Sequence, residues 1–133
     1  MTDEAVIMSE KKAIETKNAP RAIGPYSQGI YAGDLVFVSG QTPIDPKTGD
    51  IPQGIEAQTK QTLINLQEVL IAGGSSLEKA VKLTCFLKNM DDFSAFNLVY
   101  KSFFNGVFPA RSTVEVARLP MDVLVEIEAI AIK

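Results

Sequence analysis

Hydrophobic and polar residues follow two different periods along the chain, and each change of period marks a predicted element. Residues 35–39 are β-branched and aromatic and stop at a glycine, which predicts a strand. Prolines and glycines crowd residues 42–54, so we expect a turn-rich loop there. From Ile55 the apolar residues recur with the period of a helix, and a glycine pair at 73 and 74 is predicted to end it.

The second half of the chain continues with a strand, a helix and two strands. Residues 80–87 alternate, and one face of this strand is predicted to carry Val81, Leu83, Cys85 and Leu87. A helix with an aromatic stripe is expected from about Asp92 to Asn105, followed by strands at about 112–117 and 123–132. This order favours an α+β fold in which two helices cover one face of a mixed sheet.

The chain is predicted to form one domain. No proline-, glycine- or serine-rich linker divides it, and 133 residues are enough for a single hydrophobic core. We expect residues 1–10 to be a flexible tail and residues 11–133 to be the domain. The polar start resembles neither a secretory signal nor a transit peptide, and no segment has the apolar length of a membrane helix, which together predict a cytoplasmic protein.

Composition narrows the possible chemistry. The chain has 13 basic and 16 acidic residues, a net charge of -3 and a pI near 4.9, which argues against a nucleic-acid surface. It has no histidine, the commonest general base and metal ligand. Its one cysteine, Cys85, falls in an apolar register and is predicted to be a small buried group. Catalysis would then use carboxylates, hydroxyls, arginine, backbone groups or a bound cofactor.

The last two predicted strands carry the candidate chemistry. Alternation groups Arg111 with Thr113 and Glu115, and it groups Glu126 with Glu128. If the apolar sets of both strands pack against the helices, the arginine and the glutamates share the uncovered face. That face is either a solvated surface with cross-strand ion pairs or a site for a small anion, since a guanidinium can hold a carboxylate by two parallel hydrogen bonds.

Four segments, in order, resemble the motifs of the RidA (YjgF) family. They are residues 19–29 (APRAIGPYSQG), 39–41 (SGQ), 108–120 (FPARSTVEVARLP) and 126–131 (EIEAIA). The resemblance covers about residues 13–133, and four ordered motifs are far more specific than any one of them. It implies a chorismate-mutase-like α+β fold and a homotrimer with a central barrel, with active sites in the clefts between subunits.

The resemblance also implies an activity. Family members are 2-iminobutanoate/2-iminopropanoate deaminases, which hydrolyse reactive 2-imino acids to 2-keto acids and ammonia and so protect pyridoxal-phosphate enzymes. This chemistry requires neither a metal nor an organic cofactor. Three alternatives stay open: a module that binds 2-keto acids without turnover, a ribonuclease or translation inhibitor, and a holdase chaperone. The acidic balance and the missing histidine count against the ribonuclease.

The same resemblance assigns residues to the site. Arg111 would pair with the substrate carboxylate, and Glu126 would position the hydrolytic water, with Glu128 as the second candidate. The other expected substrate contacts are Tyr26, Ser39, Gly40, Asn97 and Thr113. Each has an ordinary structural alternative, such as an ion pair for the arginine or a core contact for the tyrosine. Thr113 departs from the family pattern, in which bacterial members often carry a cysteine; because the backbone makes most of that contact, we expect the chemistry to be retained.

Overall fold

The computed structural model describes residues 10–133, so the predicted tail, residues 1–10, lies outside the described residues apart from Glu10. Eight principal elements follow in chain order: β1 (Lys11–Ile14), β2 (Gly29–Ala32), β3 (Leu35–Gln41), α1 (Ile55–Ala72), β4 (Ala80–Leu87), α2 (Phe93–Lys101), β5 (Ala110–Glu115) and β6 (Val125–Ile132). The strands form one mixed sheet in the order β1-β2-β3-β6-β4-β5. Strands β4 and β5 pair in parallel, and the other neighbours pair antiparallel.

The hydrophobic core lies between the two helices and one face of the sheet. Leu63, Leu66 and Leu70 of α1 are fully buried, as is Phe96 of α2. Each such side chain stabilises the fold by roughly 1.5–3 kcal/mol relative to remaining exposed. They pack with the inward residues of the central strands, which include Val36, Leu83, Cys85, Val125 and Ile127. The predicted α+β architecture, with two helices on one face of a mixed sheet, is confirmed.

Most predicted elements are present, with shifted ends. Strand β4 has the predicted bounds, and α1 begins at Ile55 and ends directly before the glycine pair. Gly74 has a φ of 84°, a left-handed conformation that glycine adopts at little cost at a helix end. Helix α2 ends at Lys101, four residues before the predicted end. Strands β1 and β2 were not predicted, because four residues each carry too little alternation.

The predicted orientation of β5, with Arg111 and Thr113 on the uncovered face of the sheet, is wrong. Arg111 and Thr113 are aligned with Leu83 and Cys85 of β4, which are fully buried beneath the helices. Aligned residues on neighbouring strands point to the same side of a sheet, so Arg111 and Thr113 face the helices. The apolar member of the opposite set, Val114, is 44% exposed on the uncovered face. Because β5 is an edge strand, its more apolar side does not mark the core.

The predicted face of β6 is correct, and this separates the two sets of charges. Glu126 is aligned with Phe86, and Glu128 with Thr84, on the face that carries no helix. Arg111 and the two glutamates therefore lie on opposite faces of the sheet within one chain, contrary to the sequence prediction.

One further orientation in β4 differs from the prediction. The register between β4 and β6 shifts between Ala80 and Lys82, and Val81 is the extra residue. It is 43% exposed, whereas Ala80 takes the buried position that alternation assigned to Val81. A bulge of this kind reverses the phase of alternation over the residues before it.

Candidate active site

Arg111 lies in an open pocket of about 350 Å³ beside α2. The helix supplies part of the wall, and the chain that enters β5 supplies the rest; the other lining residues are Asn97, Tyr100, Lys101, Phe108 and Pro109. Pro109 has no backbone donor and a fixed φ, so it delivers a rigid turn of chain into the strand directly before the arginine. A concave pocket with aromatic walls and a few polar groups is typical of a small-molecule site.

Aromatic rings surround the guanidinium of Arg111. Its Cζ lies 4.6 Å from the ring centre of Tyr100, 5.5 Å from that of Phe96 and 5.6 Å from that of Phe93. Within residues 10–133 the one salt bridge joins Lys88 to Asp122, so Arg111 forms no ion pair there. The predicted alternative, an ion pair between Arg111 and a glutamate of β6, is not formed. The guanidinium is therefore free to bind an anion.

Polar atoms without partners cluster near the arginine. Among residues 10–133, five buried side-chain polar atoms have no hydrogen-bond partner; three of them are Asn97 Oδ1, Tyr100 Oη and Thr113 Oγ1, and the other two are the hydroxyls of Thr59 and Thr62 on α1. An unsatisfied buried polar atom costs roughly 1–3 kcal/mol, and native proteins keep few of them without a functional reason. The structure thus brings together three residues predicted for the site: Arg111, Asn97 and Thr113. Tyr100 was not predicted; its spacing of three residues from Asn97 on one helix was the available signal.

The second cluster centres on Glu126, at the end of β6 that pairs with a bulge in β3. The register shift lies between Val38 and Gln41. A Cβ placed on Gly40 would lie 2.6 Å from Glu126 Oε2 and 2.9 Å from its Cδ. The carboxylate therefore packs directly over the Gly40 backbone, an approach that only glycine allows. Gly40 and Glu126, two predicted site residues, are in contact.

Ser39 connects this bulge to the loop before β2. Its Oγ donates to the Ser27 carbonyl at 2.6 Å, and its amide donates to the Gln28 carbonyl at 2.9 Å. Tyr26, directly before Ser27, is half-exposed and lines a second concavity of about 480 Å³. The hydrogen bonds of Ser39 thus hold the residue that follows Tyr26 against the strand that carries Gly40.

Gln28 organises the same loop and was missed as an individual residue. It is buried, and its Oε1 accepts from the Thr16 amide at 2.8 Å. Its Nε2 donates to the Thr16 carbonyl at 3.0 Å and to the Pro20 carbonyl at 2.8 Å. One amide side chain therefore satisfies backbone groups along the whole loop that ends at Tyr26. Its place in the 19–29 motif was the sequence signal.

Electrostatics make Glu126 an unusual carboxyl group. Burial raises the pKa of Glu126 above its ordinary value, and the neighbouring charge of Glu128 raises it further. A carboxylate with a raised pKa is a stronger proton acceptor than an exposed one. This environment suits a residue that takes a proton from water.

Cys85 is buried, as predicted, and takes no part in either cluster as a nucleophile. Burial raises the pKa of Cys85 to about 12, against the opposing effects of Arg111 and Thr113. At neutral pH the thiol is therefore protonated, and only the thiolate is a strong nucleophile.

The described residues contain neither a metal-binding cluster nor a membrane-spanning helix. Between residues 10 and 133, no three or more Cys, His, Asp or Glu side chains are grouped so as to bind a metal ion. Neither helix of that region combines the length and hydrophobicity that a membrane-spanning segment requires.

These features define a small α+β protein with an arginine in an aromatic pocket on one face of its sheet, where it forms no ion pair with residues 10–133, and a half-buried carboxylate on the other face. Residues 16–133 match the family model described as Endoribonuclease L-PSP. The chain belongs to that family, which includes the RidA and YjgF proteins whose motifs it resembles, so the family prediction is confirmed.

Similar proteins agree over nearly the full domain. A RutC family protein of Pyrococcus horikoshii is 55% identical over 124 residues, covering 92% of this chain and 98% of the relative. The 2-iminobutanoate/2-iminopropanoate deaminase of Escherichia coli is 50% identical over 125 residues, with the same coverage. The crystal structure of E. coli TdcF with bound serine has a TM-score of 0.89 and 46% identity, over 92% of this chain and 98% of TdcF.

Proposed function

We propose that this protein is a 2-imino acid deaminase, a hydrolase that converts 2-iminobutanoate and 2-iminopropanoate to 2-keto acids and ammonia. The observation that carries the proposal is the guanidinium of Arg111, which lies in a pocket and forms no ion pair within residues 10–133. The family relationship narrows the anion, because a relative at 50% identity carries the name of this deaminase.

Arg111 would hold the substrate carboxylate. A guanidinium binds a carboxylate through two parallel charge-assisted hydrogen bonds, which fix the orientation of the planar imino acid as well as its position. Asn97 and Thr113 contribute nearby polar groups for the rest of a small ligand. The serine bound in the E. coli TdcF structure is a small molecule with an α-carboxylate, which supports a small carboxylate as the ligand of this protein.

Glu126 would act on water. Water adds to the imine carbon, and Glu126 accepts one of its protons and passes it to the nitrogen. The second proton of the water follows the same route as the C=O bond forms and the C–N bond breaks, so ammonia leaves and Glu126 is regenerated. Positioning the water and the imine together makes the attack effectively unimolecular, which is worth several kcal/mol. A raised carboxyl pKa suits this proton transfer. Tyr26, Ser39 and Gly40 would form the wall on this side.

The site would be completed between protomers. Arg111 and Glu126 lie on opposite faces of one sheet, so one chain cannot present both to the same small molecule. A homotrimer with a central barrel, with each cleft using Arg111 from one protomer and Glu126 from the next, resolves this separation. The uncovered sheet face carries exposed Leu35, Phe37 and Val114, which a neighbour would bury. The cellular benefit would be protection of pyridoxal-phosphate enzymes from imine damage.

The test supplies imine in situ from an amino-acid oxidase, with semicarbazide as the trapping competitor. We expect the wild-type protein to accelerate keto-acid release, and we expect Arg111→Met to lower kcat/KM by roughly 100-fold or more, since charged hydrogen bonds contribute about 1.5–3 kcal/mol each. Lys79→Met, which removes an exposed positive charge outside both clusters, is the matched control and keeps full activity.

Other outcomes identify the alternatives. If the protein binds a keto acid tightly but does not accelerate keto-acid release from the imine, the protein is a sensing module and not an enzyme. RNA cleavage that disappears in Arg111→Met would favour the ribonuclease that the family description suggests. Full deaminase activity in Arg111→Met would reject the role of Arg111.

A further inference from the structure

The arginine of the pocket is held in an unusual way. A binding-site arginine must be held in a fixed orientation. An acidic neighbour would hold it, but that neighbour would also compete with the substrate carboxylate for the same N–H groups. No acidic side chain within residues 10–133 pairs with Arg111. The guanidinium instead lies over the ring of Tyr100, with Phe96 and Phe93 nearby.

A ring and a carboxylate occupy different parts of a guanidinium. An aromatic ring attracts the cation through its face, whereas the five N–H donors lie in the guanidinium plane and point outward. Stacking therefore restrains the side chain and leaves its donors available for an anion.

We propose that the ring of Tyr100 is a positioning element for Arg111, which fixes the guanidinium in the pocket and leaves its N–H edge open for the substrate carboxylate. This inference rests on the proposed function of Arg111. Tyr100 makes the closest of the three ring contacts, and it also lines the pocket. Its ring is itself fixed, because it stacks between Phe96 at 5.6 Å and Phe104 at 4.9 Å.

The ring carries this role, and the hydroxyl does not. Tyr100 Oη is buried and has no hydrogen-bond partner among residues 10–133, so no hydrogen bond from that part of the chain holds the ring in place. Burial also raises the pKa of Tyr100 to about 12, which keeps the phenol protonated at neutral pH. A phenylalanine at this position would keep the ring, its neighbours and the contact with the guanidinium.

The experiment compares Tyr100→Leu with the conservative Tyr100→Phe. Loss of a desolvated cation–π contact weakens binding by roughly 0.5–2 kcal/mol, so KM is expected to rise by about 3- to 30-fold in Tyr100→Leu. The carboxylate contact is made in both the bound substrate and the transition state, so kcat is expected to stay within about threefold. Tyr100→Phe is expected to restore KM to within about twofold of wild type.

A control separates positioning from folding. Val69 of α1 is fully buried and packs on Gly29 of β2, whereas Arg111 lies on β5 at the opposite edge of the sheet. Val69→Ala removes buried apolar groups away from the pocket and should lower thermal stability while leaving KM unchanged. Phe93 is partly buried and makes the longest of the three ring contacts with Arg111, so Phe93→Leu is a second test that leaves the core intact. We expect this variant to raise KM by a smaller factor.

Calorimetric binding of pyruvate gives a readout that does not depend on turnover. If wild-type protein shows no deaminase activity but binds pyruvate, and Tyr100→Leu binds it more weakly, the proposed function fails and the positioning role stands. If wild-type protein is active and Tyr100→Leu retains wild-type KM and pyruvate affinity, the positioning role is overturned. An equal rise of KM in Val69→Ala, or no restoration in Tyr100→Phe, would also overturn it.

Discussion

Glu126 shows how neighbouring residues set the chemistry of a single side chain. It is partly buried over the backbone of Gly40, and it lies two residues from Glu128 on the same face. Burial and the adjacent negative charge both disfavour the ionised form, which raises the carboxyl pKa. The arginine pocket has a different arrangement, in which the guanidinium of Arg111 has aromatic rings for neighbours.

The pH profile is expected to reveal the influence of Glu128. If the Glu126 carboxylate accepts the proton, kcat is highest above its raised pKa and falls as the pH drops through that value. Glu128→Gln removes the like charge and leaves burial unchanged, so the pKa of Glu126 falls and the acidic limb of the kcat profile moves to lower pH. Initial rates measured across the acidic range, with imine generated in excess, provide the comparison.

The matched control is Glu56→Gln, which removes the same charge from the exposed first turn of α1 and should leave the profile in place. Glu126→Gln should reduce kcat at every pH. An acidic limb with the same midpoint in Glu128→Gln and in wild type would contradict the assignment of that limb to Glu126.

At the level of elements, the bulge between β3 and β6 is the feature that shapes the carboxylate side of the site. The bulge adds one residue to β3, so Gly40 lies beneath the Glu126 side chain and does not pair regularly with β6. Bulges redirect side chains and are common beside active sites. Because Gly40 has no side chain, the carboxylate of Glu126 on β6 can lie directly against the backbone of β3.

Gly40→Ala is expected to separate folding from activity. The new Cβ would meet Glu126 Oε2 at 2.6 Å, so the flexible carboxylate end must move while the backbone stays paired. We expect a drop in kcat of about tenfold or more, because small misplacements of a reacting group are costly, with little change in thermal unfolding temperature.

The matched control is Gly106→Ala, where an added Cβ has ordinary contact distance to Glu78, 3.5 Å, and lies away from both clusters. It should leave kcat unchanged. Unimpaired kcat in Gly40→Ala would mean that the position of the Glu126 carboxylate does not limit the reaction.

The accuracy of the sequence predictions depended on element length and on position in the sheet. The 18 residues of α1 and the eight of β4 each contain enough of their period to be recognised. The four-residue strands β1 and β2 do not. The edge strand β5 was found, but its faces were exchanged, because burial on an edge strand depends on a neighbouring helix and on partners that local alternation does not encode.

The candidate site residues came from the family resemblance and not from spacing alone. Arg111, Asn97 and Thr113 lie together as expected, and Gly40 touches Glu126. Spacing alone placed Arg111 and Glu126 on one face, which the register of β4 with both neighbours contradicts. The aromatic support of Arg111 was missed because it depends on how α2 packs over β5, and two apolar residues four apart on a helix usually indicate a core contact.

At the scale of the whole molecule, the separation of Arg111 from Glu126 makes a prediction about assembly. The Arg111→Met and Glu126→Gln chains are each expected to be inactive alone. Co-expressed with two different affinity tags and purified through both, they would form mixed oligomers. In the proposed trimer, each mixed ring contains one cleft of three in which an intact Arg111 meets an intact Glu126.

The mixed oligomers are therefore expected to recover about one third of the wild-type rate per trimer, because a symmetric ring joins each protomer's arginine face to the next protomer's glutamate face. Co-expression of two differently tagged Arg111→Met chains is the matched control and should remain inactive. A site built within one chain would give no recovery, since every chain would carry one defect. Recovery thus depends on the feature that the register establishes, namely that the two charged groups lie on opposite faces of one sheet. The proposed site therefore takes Arg111 and Glu126 from different copies of the chain.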